Sequence, residues 1–341
     1  MAKKLLRVLA GEPVWPPPVW LMRQAGRYLP EYRAVRDRAG DFLTLATTPE
    51  LAAEVTLQPV RRFGTDAAIL FSDILMLPWA LGQGLRYAEG EGPQLPPIRD
   101  EAALAALDPA RLDGAIAPIL DTLRRVRADL PRDCALIGFA GGPWTVACYM
   151  VEGQGSREFP ATRRMAYAEP RMFARLMRMV TDATTAYLAA QIEAGAEAVM
   201  LFDSWAGVLP PSLFERHVID PTESIVSALH ARFPATPVIG FPRLAGTMLG
   251  PYAQETGVEA VALDTSAEPR IAAAMIPEGT ALQGNLDPQA LVAGGAEMRE
   301  QAEDILDALR GRPHVFNLGH GIVPQTPPEH VAELVRIVQG A

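Results

Sequence analysis

Short apolar runs recur along the chain, each continuous rather than alternating. Eight stand out, at residues 18–22, 67–71, 135–139, 198–202, 237–241, 260–263, 281–283 and 314–316. Runs of this length without alternation fit strands buried on both faces, as in a parallel sheet. Between most of them the apolar positions fall at helical spacing. Residues 49–63 place Leu51, Val55, Leu57 and Val60 near a helical repeat, and residues 170–195, 211–233, 287–309 and 328–338 read likewise. The second of these stretches ends at Gly195, a common stop signal. Repeated strand–helix alternation predicts an α/β fold with a parallel sheet. Eight units predict a closed (β/α)8 TIM barrel, with residues 1–341 as a single domain. An open doubly wound sheet would carry a glycine fingerprint after a strand, and no G-x-G-x-x-G follows any of the eight runs.

One region departs from the repeat. Residues 75–97 are rich in Gly and Pro and poor in helical pattern. They predict an irregular excursion after the second strand, with a small hairpin over residues 85–91. Long loops inside compact domains usually serve function.

In a barrel of this kind, active sites form at the C-terminal ends of the strands. The polar residues just past those ends are Arg23, Asp73, Ser204, Arg243, Asp264, Asn285 and His320. They are placed to surround one cavity, unless they cap helices or tie the rim.

The first of these ends is the most distinctive. Five arginines, Arg23, Arg27, Arg33, Arg36 and Arg38, fall within sixteen positions. Arginine is permanently charged and presents a planar fork that matches a carboxylate. Gly26 lets the backbone between Arg23 and Arg27 come close to a ligand. Glu31 and Asp37 are local candidates to pair with the later arginines. Such clusters are often only solvated surface, but Arg23 directly follows a buried strand, which favours a polycarboxylate site.

Asp73 lies between Phe71 and Ile74. A carboxylate in apolar surroundings needs donors or positive charge nearby. Gly141 and Gly142 end the third strand, and Pro143 suits the first position of a helix with Tyr149 about two turns on. The glycine pair lacks the lysine of a phosphate-binding loop. His320 stands between two glycines at the last strand end.

Charge and composition narrow the partners. The formal net charge is −9, against a nucleic-acid or anionic-membrane partner. The chain is 49% apolar and 21% charged, which suits a large globular core. Only Cys134 and Cys148 are present, as expected in a reducing compartment. Arg7 interrupts the one apolar run near the start, so no signal-peptide core is expected there. No stretch approaches the roughly 20 apolar residues of a membrane span. A cytoplasmic location follows as the expectation. His217, His230, His314, His320 and His330 make no H-E-x-x-H pattern, and the cysteines no C-x-x-C, so no metal site is expected.

Together these motifs resemble the uroporphyrinogen decarboxylase family. The segment from Met22 to Arg27 and that from Gly138 to Tyr149 match its signatures nearly letter for letter. Phe71-Ser72-Asp73-Ile74-Leu75 and Asn317-Leu318-Gly319-His320-Gly321 match as well. Trp205 stands where some members carry histidine. The resemblance implies a (β/α)8 barrel that acts as a homodimer with its two clefts facing each other. It implies conversion of the four acetate arms of uroporphyrinogen to methyl groups, giving coproporphyrinogen and four CO2, without cofactor or metal. It assigns Arg23, Gln24, Ala25, Gly26 and Arg27 to substrate binding. Asp73 is implied as the catalytic carboxylate beside the pyrrole N–H groups, with Tyr149, Ser204 and His320 completing the pocket.

The reaction suits these residue types. A protonated pyrrole is its own electron sink, and a fixed carboxylate near its N–H groups stabilises the resulting cation. A zinc-dependent methyltransferase of the same superfamily is the nearest rival, but it needs a thiol- and histidine-rich site. A non-catalytic tetrapyrrole carrier would keep Arg23 and Arg27 and dispense with Asp73.

Overall fold

A computed structural model describes residues 3–88 and 92–340. The apolar runs form a parallel sheet of seven strands: β1 (Ala67–Ile69), β4 (Ala135–Gly141), β5 (Ala198–Asp203), β6 (Val238–Pro242), β7 (Ala260–Ala262), β8 (Ala281–Gln283) and β9 (His314–Val315). Strands β2 (Arg86–Ala88) and β3 (Gly92–Gln94) form the antiparallel hairpin expected in the excursion, with Tyr87 opposite Pro93. Residues 89–91 of the expected turn lie outside the described residues.

The eighth run, residues 18–22, closes the ring with few bonds. Val19 bridges Phe316 in parallel. The Phe316 N–H donates to Pro18 O at 2.9 Å, and the Asp66 N–H donates to Val19 O at 2.8 Å. The segment therefore links the strand at β9 to the one at β1 and completes a (β/α)8 barrel.

The lower rim has its own signature. Asp66-Ala-Ala-Ile-Leu, Glu197-Ala-Val-Met-Leu and Glu259-Ala-Val-Ala-Leu each set an acidic residue just before a strand. Each acid exchanges two bonds with the neighbouring strand. The backbone N–H groups of Asp66, Glu197 and Glu259 donate to the carbonyls of Val19, Leu136 and Val238. Their carboxylates accept from the N–H of the same three residues, at 2.9, 3.1 and 2.7 Å. The start of each strand is thus bracketed, and the first bracket fastens the sparsely bonded 18–22 segment. Bonds at this end of a barrel read as stability.

The helices follow the periodicity where tertiary packing allows. Pro49–Phe63 and Pro328–Gln339 form as expected, each with Pro in the first turn and a left-handed glycine behind its last residue. Residues 287–309 split into Pro288–Ala293 and Gly295–Ala308. Gly294 and Gly295 hold φ of 68° and 67°, and a Cβ on Gly294 would strike the His330 ring. Residues 211–233 run through a π-helical turn at Glu215–Ile219. A short helix, Met76–Ala80, appears in the excursion where the pattern predicts none. Its apolar residues are buried against the barrel, and that burial outweighs weak local propensity.

Candidate active site

The turn after residues 18–22 is held from several sides. Arg23 sits at φ 61°, in the left-handed region. A non-glycine residue there costs on the order of 1–3 kcal/mol and persists only where the surroundings fix it. Here the Met22 N–H donates to Asn317 Oδ1 at 2.9 Å, and the Ile322 N–H donates to Met22 O at 2.9 Å. Gln24, only 1% exposed, accepts from the Leu21 N–H at 3.1 Å and donates through Nε2 to Ala67 O at 3.0 Å. The Tyr28 hydroxyl donates to Gln24 O at 2.8 Å. The turn is thereby tied to both strands that flank it, and the Arg23 side chain stands exposed.

His320 lies beside that arginine. A Cβ on Gly321 would collide with the Cγ, Cδ and Nε of Arg23, and a Cβ on Gly319 would collide with the backbone of Thr265. The glycines on either side of His320 are therefore spaces filled by neighbours. Burial pushes the imidazole pKa down to about 4, and the cations Arg23 and Arg243 push the same way, against Asp264. The ring is neutral at physiological pH.

Asp73 follows β1. Its Oδ1 accepts from the Leu75 N–H at 2.8 Å, which turns the chain into Met76–Ala80. Burial raises its pKa, while the Leu75 bond, the nearby Tyr87 hydroxyl and the Arg23 charge lower it. Tyr87 reaches it from the hairpin. Its ring packs on Phe42 at 4.6 Å, and Phe42 packs on Phe71 at 5.7 Å. The Tyr87 hydroxyl is buried close to Asp73 yet makes no hydrogen bond of ordinary geometry. Tyr149 is near enough to feel both Asp73 and Arg23, though burial is the main cause raising its pKa.

Tyr149 rides on the helix Pro143–Glu152, which begins with Pro143 at its first position, as the sequence predicts. Gly141 and Gly142 allow close packing there. A Cβ on Gly141 would strike Val146 and Ile74, and one on Gly142 would strike the Asp203 carboxyl. Asp203 ends β5 and caps this helix from outside it. Its Oδ1 accepts from the Thr145 N–H at 3.1 Å and from Thr145 Oγ1 at 2.5 Å. Thr145 Oγ1 in turn accepts from the Trp205 N–H at 3.0 Å. The helix of Tyr149 and the Ser204–Trp205 turn are locked to each other through one hydroxyl. Burial raises the Asp203 pKa to about 7 against these two bonds.

Four elements thus bring Arg23, Asp73, Tyr149 and His320 around one mouth, with Ser204 and Arg243 on the adjoining turns after β5 and β6. Comparison with known proteins decides the family: the uroporphyrinogen decarboxylase family model matches residues 1–341. The chain belongs to the uroporphyrinogen decarboxylase family. It is 61% identical to the uroporphyrinogen decarboxylase of Gluconacetobacter diazotrophicus, over 99% of this chain and 98% of that one. It is 62% identical to that of Granulibacter bethesdensis, over 99% of both. Among solved structures, a methyltransferase from Methanosarcina mazei superposes with TM-score 0.78 at 21% identity, covering 99% of this chain and 97% of that chain. That likeness shows the shared fold alone.

The remaining residues of the family signature are placed as follows. Arg27 is exposed one turn beyond Arg23, with Ala25 and Gly26 half-buried between them. Among the described residues no carboxylate comes within ion-pair distance of Arg23 or Arg27. Two of the later arginines are spent locally. Arg38 pairs with Glu54 at 2.7 Å, and Arg33 donates to Arg27 O at 2.8 Å. Glu31 pairs with Arg62 at 3.0 Å rather than with the cluster. Gln24 shapes the turn, since its side-chain amide is committed to the protein. Asp264 and Asn285 tie the rim: Asn285 Nδ2 donates to the carbonyls of Asp264 and Ala267, at 2.8 and 2.7 Å. Sequence reasoning missed Tyr87, Thr145 and Asp203. The only signals were a tyrosine in a suspect excursion and an acid next to Ser204.

Gly321 supplies a direct test of how Arg23 is held. In Gly321→Ala the new methyl displaces the middle of the Arg23 side chain, with no backbone in the way. The expected result is a KM for the family's substrate raised by about tenfold, as when a charge-assisted bond worth about 1.5 kcal/mol is lost. The melting temperature should stay close to wild type. Gly319→Ala meets backbone instead and should lower the melting temperature.

Proposed function

We propose that this chain removes CO2 from the four acetate arms of uroporphyrinogen III, leaving methyl groups and giving coproporphyrinogen III in haem biosynthesis. One observation carries the reading. A half-buried carboxylate, Asp73, accepts through Oδ1 from the Leu75 N–H and has the Tyr87 hydroxyl and the Arg23 charge beside it, while among the described residues no carboxylate lies within ion-pair distance of Arg23. Such a mouth suits a ligand with acidic arms and an N–H-rich centre.

Arg23 and Arg27 hold carboxylate arms, while Asp73 accepts from the pyrrole N–H groups. Protonation of a ring carbon beside the one bearing the arm makes the pyrrole cationic. The bond to the carboxylate then breaks, CO2 leaves, and the electron pair neutralises the ring as an exocyclic methylene. Protonation of that carbon and loss of the ring proton complete the methyl group. Asp73, fixed before the charge develops, stabilises the cation without reorganising. A guanidinium stays protonated and is therefore a poor general acid. Neutral His320 and the Tyr149 hydroxyl are suited to orient the water that supplies the proton.

The same reading makes residues 1–341 one domain, cofactor-independent, working in the cytoplasm as a homodimer with facing clefts. Its support is the family resemblance. Among the described residues no helix is long and apolar enough to cross a membrane.

The test is anaerobic incubation of metal-stripped protein with uroporphyrinogen, followed by chromatography of the oxidised porphyrins. Stepwise loss of carboxylates down to the four-carboxylate product is expected. Tight binding with all eight carboxylates intact would show a carrier and sink the reading.

A further inference from the structure

A third cation faces the mouth, and neither the family signature nor the chemistry above uses it. Arg243 directly follows β6, and its N–H donates to Asp203 O at 3.1 Å. Among the described residues its half-buried guanidinium has one hydrogen-bond partner, a long 3.4 Å contact from Nη1 to Ser204 O. Among the described residues no carboxylate lies within ion-pair distance of it. The obvious candidate, Asp264, is already spent. Asp264 Oδ2 accepts from the Leu244 N–H at 2.6 Å, and Oδ1 accepts from Ser266 N–H and Oγ at 2.8 and 2.5 Å.

Those bonds hold an unusual turn. Leu244 sits at φ 60°, in the left-handed region, and is 45% exposed. The Gly207 N–H donates to Arg243 O at 3.0 Å, and Gly207 presses so close that a Cβ on it would collide with Leu244. A strained turn braced from two other loops is a device for aiming a side chain. Arg23, the other arginine beside His320, carries the same left-handed strain on its own backbone. Both charges bear on the His320 ring, and Phe241, two residues before Arg243, lies 6.4 Å from it.

We infer that Arg243 is a substrate-binding residue that, with Arg23, seats one carboxylate arm beside His320. This rests on the reading that the mouth takes a polycarboxylate. A guanidinium held in place without an anion is prepaid for one: binding an arm supplies the missing charge partner without a new arrangement of the protein.

The test compares Arg243→Gln and Arg243→Lys with wild type, by steady-state kinetics on uroporphyrinogen and by thermal melting. The Gln variant should raise KM about tenfold to hundredfold, the range for a lost hydrogen bond to a charged group. Its kcat should stay within about threefold and its melting temperature near wild type, and the Lys variant should fall between, because a point charge keeps attraction but loses the fork. An unchanged KM in a folded Gln variant overturns the inference, as does a loss confined to kcat. A Gln variant that melts far below wild type also overturns it, by making Arg243 a structural partner of the Ser204 turn. A wild type that neither binds nor converts uroporphyrinogen fails at the earlier step, and removes the polycarboxylate reading together with this one.

Discussion

Asp73→Asn should lower turnover of uroporphyrinogen by about 10²–10³-fold, the cost of deleting one preorganised electrostatic partner. The amide keeps the shape and still accepts from the Leu75 N–H, so Met76–Ala80 should form as before. What is lost is the negative charge where the pyrrole cation develops. Stability should move the other way. Burial raises the Asp73 pKa, so the folded protein holds that proton more tightly than the unfolded chain. The stabilising contribution is fully present below the unfolded value and is lost as pH rises through the folded one. Above that pH the ionised carboxylate is a burden on the fold, and Asn should melt at or above the wild-type temperature. Activity needs the ionised form, so the wild-type rate should fall on acidification at a higher pH than an ordinary carboxylate would give. A folded Asn variant with near-normal turnover would remove Asp73 from the chemistry.

The largest stability effect is expected at the opposite end of the barrel. Glu197 Oε2 accepts from Lys3 Nζ at 2.5 Å, Arg127 Nη1 at 2.9 Å and the Leu136 N–H at 3.1 Å. The Lys3 side chain is 9% exposed and that of Glu197 17%. Glu197→Ala strands a nearly buried ammonium with only Cys134 O, at 2.7 Å, for a partner. It also leaves the Leu136 N–H without its carboxylate. Breaking a buried pair from one side costs about 3–5 kcal/mol, and the lower end applies because Arg127 can turn to solvent. Lys3→Met together with Glu197→Met should recover much of that loss, because the stranded charge is gone. Denaturant titration of Glu197→Ala, and of the cycle formed by wild type, Lys3→Met, Glu197→Met and their double variant, measures both effects. Additive effects of the two substitutions would show that the pair is not coupled.

The barrel was largely legible in the sequence because its signals are local. Each strand is a short apolar run, and each helix repeats within a few residues. The polar strand ends were legible for the same reason: Arg23, Asp73, Ser204 and His320 each lie within four residues of the end of a run. The Arg turn stands out in the sequence, but that the Gln24 side-chain amide is spent on Leu21 and Ala67 was not legible there. The Gly141–Gly142 pair ends a strand in the sequence, but only the structure shows what needs the space: Val146, Ile74 and Asp203. The lower-rim brackets at Asp66, Glu197 and Glu259 were written as a repeat, yet their partners on neighbouring strands were not.

By itself, then, the sequence determined which segments are strands, that they close as a parallel barrel, and which polar residues stand at the strand ends. Burial periodicity and turn chemistry act over a few residues and need no knowledge of the rest. Only the tertiary structure decided which of those residues are free to meet a ligand. Met22 is oriented by Asn317, 295 positions away, and the helix of Tyr149 is capped by Asp203, 58 positions beyond Thr145. Arg243 is left unpaired because Asp264 is bound to Leu244 and Ser266. Whether a charge is spent or available depends on what stands within a few ångströms of it, and closing the ring brings those neighbours together from distant parts of the chain.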